Sequence, residues 1–218
     1  MPDKNQIQDP LKPLDQICDP NSRQRNFVSN LEDLHANLSN IVLDESVPVD
    51  VRQLFETAKN LSLYSWFAYR FHQVSELIAF SAMEMALRVR YLEENPIDPE
   101  TNKPRPTLHK LMMHAKKEKW ITNEGFPSLY TRAKYAAEQK ISIELIQSHD
   151  FEKEPSVTID EPSEEEIIEA LNNLDMVEAI TINAHKIRND LAHGSSTLHP
   201  NSVSTLFTVS EVINQIYF

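Results

Sequence analysis

The sequence predicts an all-α protein, and three observations support this fold class. Only two of the 218 residues are glycine, whereas Ala, Leu, Glu, Ile and Lys, most of which favour helices, are plentiful. Apolar residues recur at helical spacing through most of the chain. The longest such pattern, between residues 51 and 94, contains neither proline nor glycine. We therefore expect a helical bundle with two long core helices.

The pattern divides the chain into three parts. Residues 1–26 are polar and carry four prolines, which predicts a flexible N-terminal arm. Residues 27–60 are expected to form an N-terminal helical extension. Residues 61–218 are expected to form an antiparallel helical bundle, which is long enough to bury one substantial core.

Within these parts the apolar spacing places individual helices. Residues 51–94 form either one very long helix or two helices joined near Asn60–Ser62, with Asp50 as a candidate N-cap. Ser163 followed by Glu166 is the signature of a capping box and begins a second long helix that ends near His193. Shorter helices are predicted at residues 27–43, 107–120, 128–148 and 203–217.

Composition excludes several classes of function. The phosphate-binding patterns GxGxxG and GxxxxGK[ST] are both absent, which argues against P-loop and Rossmann nucleotide chemistry. The single cysteine, Cys18, cannot form an internal disulfide, and no apolar run is long enough to span a membrane. We expect a cytoplasmic protein with no membrane partner and no cofactor.

The net charge of −12 argues against broad electrostatic binding of nucleic acid, but the charge is unevenly distributed. Residues 150–169 contain nine acids and one lysine, whereas residues 103–140 contain nine bases and three acids. A basic region within an acidic chain is compatible with RNA binding. Solvated helix faces of either sign are the simpler explanation for any single charge.

The most informative stretch is Ile187–Gly194, at the end of the second long helix. It holds a cation, an amide, a carboxylate and an imidazole: Arg188, Asn189, Asp190 and His193. Gly194 is expected to close the helix in the left-handed conformation that glycine adopts readily. Asn189 and His193 stack at i and i+4, whereas Arg188 and His193 lie about 140° apart around the helix. Arg188 falls at the margin of the apolar stripe and therefore either snorkels outward or faces a cavity.

A second polar group interrupts the apolar centre of the first long helix. Ser81, Glu84 and Arg88 share one stripe there. A carboxylate among apolar neighbours needs a partner, and the candidates for Glu84 are Arg88 and Arg188.

Histidine spacing gives little support for a metal site. His109 and His114 are not at i,i+3 or i,i+4, and no third ligand stands nearby. His185, Asn189 and His193 form an i,i+4,i+8 stripe, but asparagine is a poor transition-metal ligand. We expect no metal.

Arg188, four intervening residues, His193 and Gly194 together resemble the Arg-x4–6-His motif of HEPN domains, an all-helical family of RNA-cleaving and RNA-binding modules. The polar residue directly after the arginine also matches. The order of helices from residue 61 to residue 218 is similar to that of HEPN bundles, and residues 81–88 are similar to the earlier core helix that carries polar side chains. No partner nucleotidyltransferase module is present, so the chain looks like a free-standing HEPN protein.

The resemblance implies a homodimer with a composite, metal-independent site for RNA. It implies that His193 is the general base or acid at the ribose 2′-OH and that Arg188 stabilises the scissile phosphate, with Asn189 orienting either group. Glu84, Arg88, Ser81 and Asp190 would be supporting residues. Such a ribonuclease would act in phage defence or as a toxin, with an antitoxin or regulatory protein as a further partner.

Two other interpretations are open. The chain is either a non-catalytic HEPN module, which binds RNA or a protein through the acidic stretch Asp150–Glu169, or a helical adaptor. The motif taken alone also has a purely structural explanation as a solvated helix end, with His193 complementing the helix dipole and Arg188 paired with an acid.

Overall fold

The computed structural model describes residues 9–24, 27, 29–96, 105–149, 156, 158–194 and 198–218. Within these ranges the regular structure is helical and contains no strand, which confirms the all-α bundle. The helices are α1 Leu31–Ser39, α2 Val49–Tyr64, α3 Phe71–Glu94, α4 Leu108–Lys117, α5 Ser128–Ser148, α6 Glu164–Asn172, α7 Met176–Ala192 and α8 Ser202–Tyr217.

Helix α3 is the central element of the bundle. It packs against α2, α4, α7 and α8, and its middle buries small and large apolar side chains in alternation, from Ala79 to Leu87. Alanines at the contacts allow the neighbouring helices to approach closely, while Phe80 and Met83 fill the space between them. One hydrophobic core contains side chains from α1 and α2 as well as from the later helices.

The sequence predicted either one long helix or two helices over residues 51–94, and the structure has two, α2 and α3. Their junction lies at residues 65–70 and not near Asn60–Ser62, where it was predicted. Contacts with the N-terminal segment stabilise this break. Asn21 N–H donates to the carbonyl of Trp66 at 2.8 Å, and Gln24 Nε2 donates to Ser65 Oγ at 2.9 Å. Ser65 Oγ in turn donates to the carbonyl of Ser62.

The prediction of one continuous helix from Ser163 to His193 is wrong. The chain breaks at residues 173–175, and α7 begins after Asp175, whose carboxylate accepts a hydrogen bond from the Glu178 N–H at 2.8 Å. Asn123, from the turn before α5, also accepts from the Val177 N–H. The α7 N-terminus is therefore capped twice, by its own Asp175 and by a residue distant in sequence.

Other helix ends agree with the sequence to different degrees. Helix α5 has the predicted bounds, and Ser163 and Glu166 form the predicted capping box at α6. Helix α1 is shorter than predicted because Asn30 caps it at the N-terminus. Asp50 lies inside the first turn of α2 and is not its N-cap, a position that Pro48 occupies.

Helix α8 connects the bundle to the α4–α5 region. The buried carboxylate of Glu211 accepts from both the N–H and the hydroxyl of Ser128, and thereby satisfies the α5 N-terminus. Tyr217 donates its hydroxyl to the Ala86 carbonyl at 2.9 Å. Burial raises the pKa of Tyr217 to about 12, so this donor keeps its proton.

Some predicted segments lie outside the described residues. They are the first eight residues of the N-terminal arm, residues 97–104 between α3 and α4, and most of residues 150–157 in the acidic stretch Asp150–Glu169. Among the helices of the described ranges, none combines the length and the apolarity that crossing a bilayer requires.

Candidate functional site

Glu84 joins α3 to α7 through two guanidinium groups. Its Oε1 accepts a hydrogen bond from Arg88, one turn further along α3, and its Oε2 lies 3.6 Å from Arg188 Nη2 on α7. The Glu84 side chain is only 15% exposed, so its charge needs both partners. The prediction that Arg88 or Arg188 would pair with Glu84 is confirmed for both residues. One carboxylate between two arginines leaves a local net charge of +1.

A cavity of about 290 Å³ opens beside this ion cluster, between α3, α4 and α7. Its lining includes Glu84, Arg188 and Asn189 from the predicted site, and also Thr107, Leu108, His109 and His185. The cavity lies near the lower end of the about 300–1,000 Å³ typical of small-molecule sites. The structure thus confirms that Arg188 faces a cavity, one of the two arrangements that its position on α7 predicted.

The rings of His109 and His185 lie next to each other in the lining of the cavity. Their centroids are 4.5 Å apart and their planes are inclined by 50°. His185 Nδ1 and Arg188 Nε are buried and have no hydrogen-bond partner among the residues that the structure describes. The site therefore contains polar atoms that the folded chain itself leaves unsatisfied, a situation common where a ligand or water binds.

Helix α4 brings His109 to this position because it is strongly amphipathic. Leu111, Met112 and Ala115 face the core, and His109 lies at the exposed edge of this apolar face. An ion pair between Lys116 and Glu178 joins α4 to α7 near their other ends. The two histidines were not predicted to lie together: His185 shares a face with Arg188 at i,i+3, but the approach of His109 depends on tertiary packing.

The remaining predicted residues lie outside this cavity. His193 is the exposed C-cap of α7 and donates its N–H to the Asn189 carbonyl at 2.9 Å. Gly194 follows with φ +87°, which confirms the predicted left-handed closure. Asp190 is exposed, and Ser81 donates its hydroxyl to the Leu77 carbonyl in its own helix. The structure thus brings together Arg188, Asn189 and Glu84, with Arg88 behind them, and leaves His193 at the helix end.

Metal-ligating side chains do not gather in the described part of the chain. No group of three or more His, Cys, Asp or Glu residues there has the arrangement that could hold an ion. His185 pairs with His109 and not with His193, and His114 packs edge-on against the rings of Tyr91 and Trp120.

A second polar cluster lies buried between α2, α3 and the start of α8. His72 Nδ1 lies 2.7 Å from Ser202 Oγ, and His72 Nε2 lies 2.8 Å from Gln24 Nε2. Burial, and to a smaller extent the charge of His199, lower the pKa of His72 from 6.5 to about 4. A serine beside a neutral histidine has the composition of a nucleophile and its base, but Ser202 is wholly buried and no substrate can reach it. We assign this cluster a structural role.

Glu76 belongs to the same cluster and is 2% exposed. Thr205 donates its hydroxyl to Glu76 Oε2 at 3.0 Å, and His199 Nδ1 lies 3.5 Å from Oε1. Burial raises the pKa of Glu76, whereas Thr205 and His199 act in the opposite direction. The segment that follows the α7 helix end is therefore connected to the core through a histidine and a carboxylate.

Fold and site together define a helical-bundle protein with a cationic, histidine-lined cavity at the meeting point of three helices. Comparison of the chain with protein-family models, with curated proteins and with solved structures finds no match.

Proposed function

We propose that this chain is a HEPN-type endoribonuclease that cleaves RNA without a metal ion, in the cytoplasm, as part of phage defence or as a toxin. The observation that carries the proposal is the position of Arg188. Glu84 holds it at the wall of an open cavity, one turn before the His193–Gly194 helix end. A held guanidinium beside a cavity suits a phosphate group.

The chemistry follows from the groups available. The ribose 2′-OH attacks the adjacent phosphorus while its proton passes to His193, and the 5′-oxygen leaves after taking up a proton. Arg188 stabilises the charge on the pentavalent phosphorus as it develops. The products are a 2′,3′-cyclic phosphate and a 5′-hydroxyl. DNA lacks the attacking hydroxyl and is not a substrate.

His193 lies outside the cavity that Arg188 lines, so we propose that the reaction uses two copies of the chain. In a homodimer the helix end of one copy would lie over the cavity of its partner, which would bring an imidazole to the arginine. A toxic ribonuclease also needs control, for which we propose an antitoxin or regulatory protein.

The charge distribution supports RNA as the ligand despite the acidic average. Helix α4, which forms one wall of the cavity, carries basic residues on its exposed side, and Lys110 is directly next to His109. Cation–phosphate contacts of this kind are salt-dependent and supply most of the non-specific affinity for nucleic acid.

A second candidate function is RNA binding without cleavage. The separation of His193 from the Arg188 cavity favours it, because the described residues of a single chain then supply a cationic pocket without the proposed base beside it.

The test is a cleavage assay with end-labelled single-stranded RNA and DNA of the same sequence, in the presence of EDTA. We expect cleavage of RNA alone, with cyclic phosphate ends, and a loss of at least about 100-fold in both Arg188→Ala and His193→Ala proteins. His35→Ala, at an exposed histidine of α1, is the matched control and should cleave normally. RNA binding without cleavage would support the second candidate, and cleavage that survives both variants would contradict the proposed site.

A further inference from the structure

The cavity beside Arg188 has two aromatic rings in its lining, and the proposed cleavage reaction uses neither of them. His109 comes from α4 and His185 from α7, and their ring centroids are 4.5 Å apart. His109 is exposed, so a ligand can reach its ring from solvent. Histidine rings are among the surfaces on which proteins stack the splayed bases of single-stranded RNA.

The polar groups of the cavity suit a base better than a metal ion. Both oxygens of Glu84 face guanidinium groups, so this carboxylate is not free to bind a cation. Asn189 also lines the cavity, and its side chain has an amide donor and a carbonyl acceptor. An amide beside a stacking surface can form hydrogen bonds with the edge of a base.

Arg188 connects the proposed phosphate contact with the two histidine rings of the cavity. It lies three residues after His185 on the same face of α7 and lines the same cavity. A phosphate held by Arg188 would therefore place the adjoining nucleoside beside the two imidazoles. At about 290 Å³, the cavity has room for a single nucleotide fragment and not for a folded RNA element.

We propose that this cavity is a nucleotide-binding subsite in which His109 and His185 stack an unpaired base of single-stranded RNA and Asn189 contacts its edge. The proposal takes its ligand class from the proposed ribonuclease function and assigns roles to two histidines for which that function has no use. His109 and His185 are binding residues here and take no part in proton transfer.

The test measures affinity in a protein that should not cleave. The parent is His193→Ala, and the probe is a fluorescein-labelled 12-nucleotide single-stranded RNA, read by anisotropy. Loss of one stacked base predicts that adding His109→Ala weakens binding about 5- to 140-fold. His109→Phe keeps an aromatic ring and should stay within about 3-fold of the parent. His35→Ala, added to the same parent, is the control for loss of a distant histidine.

A second probe separates stacking from phosphate contact. A matched strand whose central riboses lack bases should bind the parent more weakly and should respond little to His109→Ala. Equal affinity of the parent and His109→Ala for the intact strand would overturn the proposal. An equal loss with His109→Phe, an equal loss with the abasic strand, or a parent that binds no RNA would also overturn it.

These outcomes are distinguishable from failure of the ribonuclease proposal. The wild-type protein is tested for cleavage of the same strands in parallel. If His109 governs binding and the wild type does not cleave, the subsite stands and the nuclease assignment fails. If the wild type cleaves and His109→Ala binds like its parent, only the subsite fails.

Discussion

At His72 the fold holds an imidazole in its neutral form. The ring is 3% exposed, bonded on both sides by Gln24 and Ser202, and its pKa is lowered to about 4 by burial. The unfolded chain would take up a proton there near pH 6.5, whereas the folded protein would not. Stability contributed by this residue is therefore complete above pH 6.5 and is lost progressively as the pH falls toward 4.

We predict that wild-type protein loses about 2–3 kcal/mol through His72 between pH 7.5 and pH 4.5 and that His72→Gln does not. Urea unfolding at a series of pH values measures this difference. Glu76 acts in the opposite sense, because its raised pKa makes the folded state the better proton binder and increases stability as the pH falls. Glu76→Gln is therefore the second variant, and it should steepen the acid loss. Identical pH profiles of unfolding free energy for wild type and His72→Gln would contradict the assignment of a neutral imidazole to His72 in the folded protein.

The two proposed catalytic side chains, Arg188 and His193, differ in how the folded chain positions them, and Glu84 accounts for the difference. It hydrogen-bonds to Arg88 and lies 3.6 Å from Arg188 Nη2, and so restrains the guanidinium of α7 before any ligand arrives. Among the residues that the structure describes, none makes a comparable contact with the His193 side chain, which is exposed at the helix end. The arginine is preorganised by its own chain, and the histidine is left for a ligand or a partner to position.

At the scale of elements, the sequence predicted helix content better than helix junctions. The breaks at residues 65–70 and 173–175 contain neither glycine nor proline. The first depends on hydrogen bonds from Asn21 and Gln24, which no local pattern reveals. The second had a local signal, Asp175 with Glu178 three residues later, which has the form of a helix start inside an apolar pattern.

Contacts of the site that lie within one helix could be predicted from the sequence, whereas contacts between helices could not be predicted from spacing alone. Glu84 and Arg88 are one turn apart, so their pairing follows from helix geometry, whereas the approach of Arg188 to Glu84 depends on the packing of α7 against α3. The pairing of His109 with His185 requires the packing of α4 against α7, which depends on the whole core. Spacing places His185 on the same face of α7 as Arg188, but it could not predict that His109 lies beside them.

The end of α7 depends on the conformation of Gly194. Its φ is +87°, and a Cβ added there would have no neighbour within 4 Å, so the cost of a side chain is conformational and not steric. Gly125 differs, because a Cβ there would meet Gln215, whose Oε1 accepts from the Thr122 N–H. A side chain would therefore meet different obstacles at the two glycines: an unfavourable φ at Gly194 and the Gln215 side chain at Gly125.

We predict that Gly194→Ala destabilises the protein by about 1 kcal/mol and that Gly194→Asn costs less, because asparagine tolerates the left-handed region better than alanine. Urea unfolding measures both values. The cleavage assay should show a larger effect for Ala than for Asn, since this residue sets the direction of the chain after His193. Wild-type stability in Gly194→Ala would mean that the helix end does not require a positive φ.

At the scale of the whole molecule, one groove with apolar and polar side chains in its lining bears on the proposed composite site. It has a volume of about 380 Å³, is lined by α3, α7 and α8 and by Arg132 of α5, and includes Ile187 in its lining. Ile187 is 41% exposed and precedes Arg188 directly. Phe207 on α8 is also 41% exposed but is not part of the groove lining. A second copy that covered this face would exclude water from apolar side chains next to the cationic cavity.

We predict that the wild type is a dimer in sedimentation experiments and that Ile187→Glu shifts it to monomer, since a carboxylate in an apolar interface must be desolvated without a partner. Cleavage should fall with the dimer fraction, while the unfolding free energy of the monomer changes by less than about 1 kcal/mol because the side chain is half exposed.

Ile143→Glu, at an exposed isoleucine of α5, is the matched control. If Ile143→Glu separates the copies and Ile187→Glu does not, the interface lies on α5, far from Arg188 along the chain. A wild type that cleaves as a monomer at every concentration would contradict the composite site, and His193 would then have to reach the phosphate from its own chain.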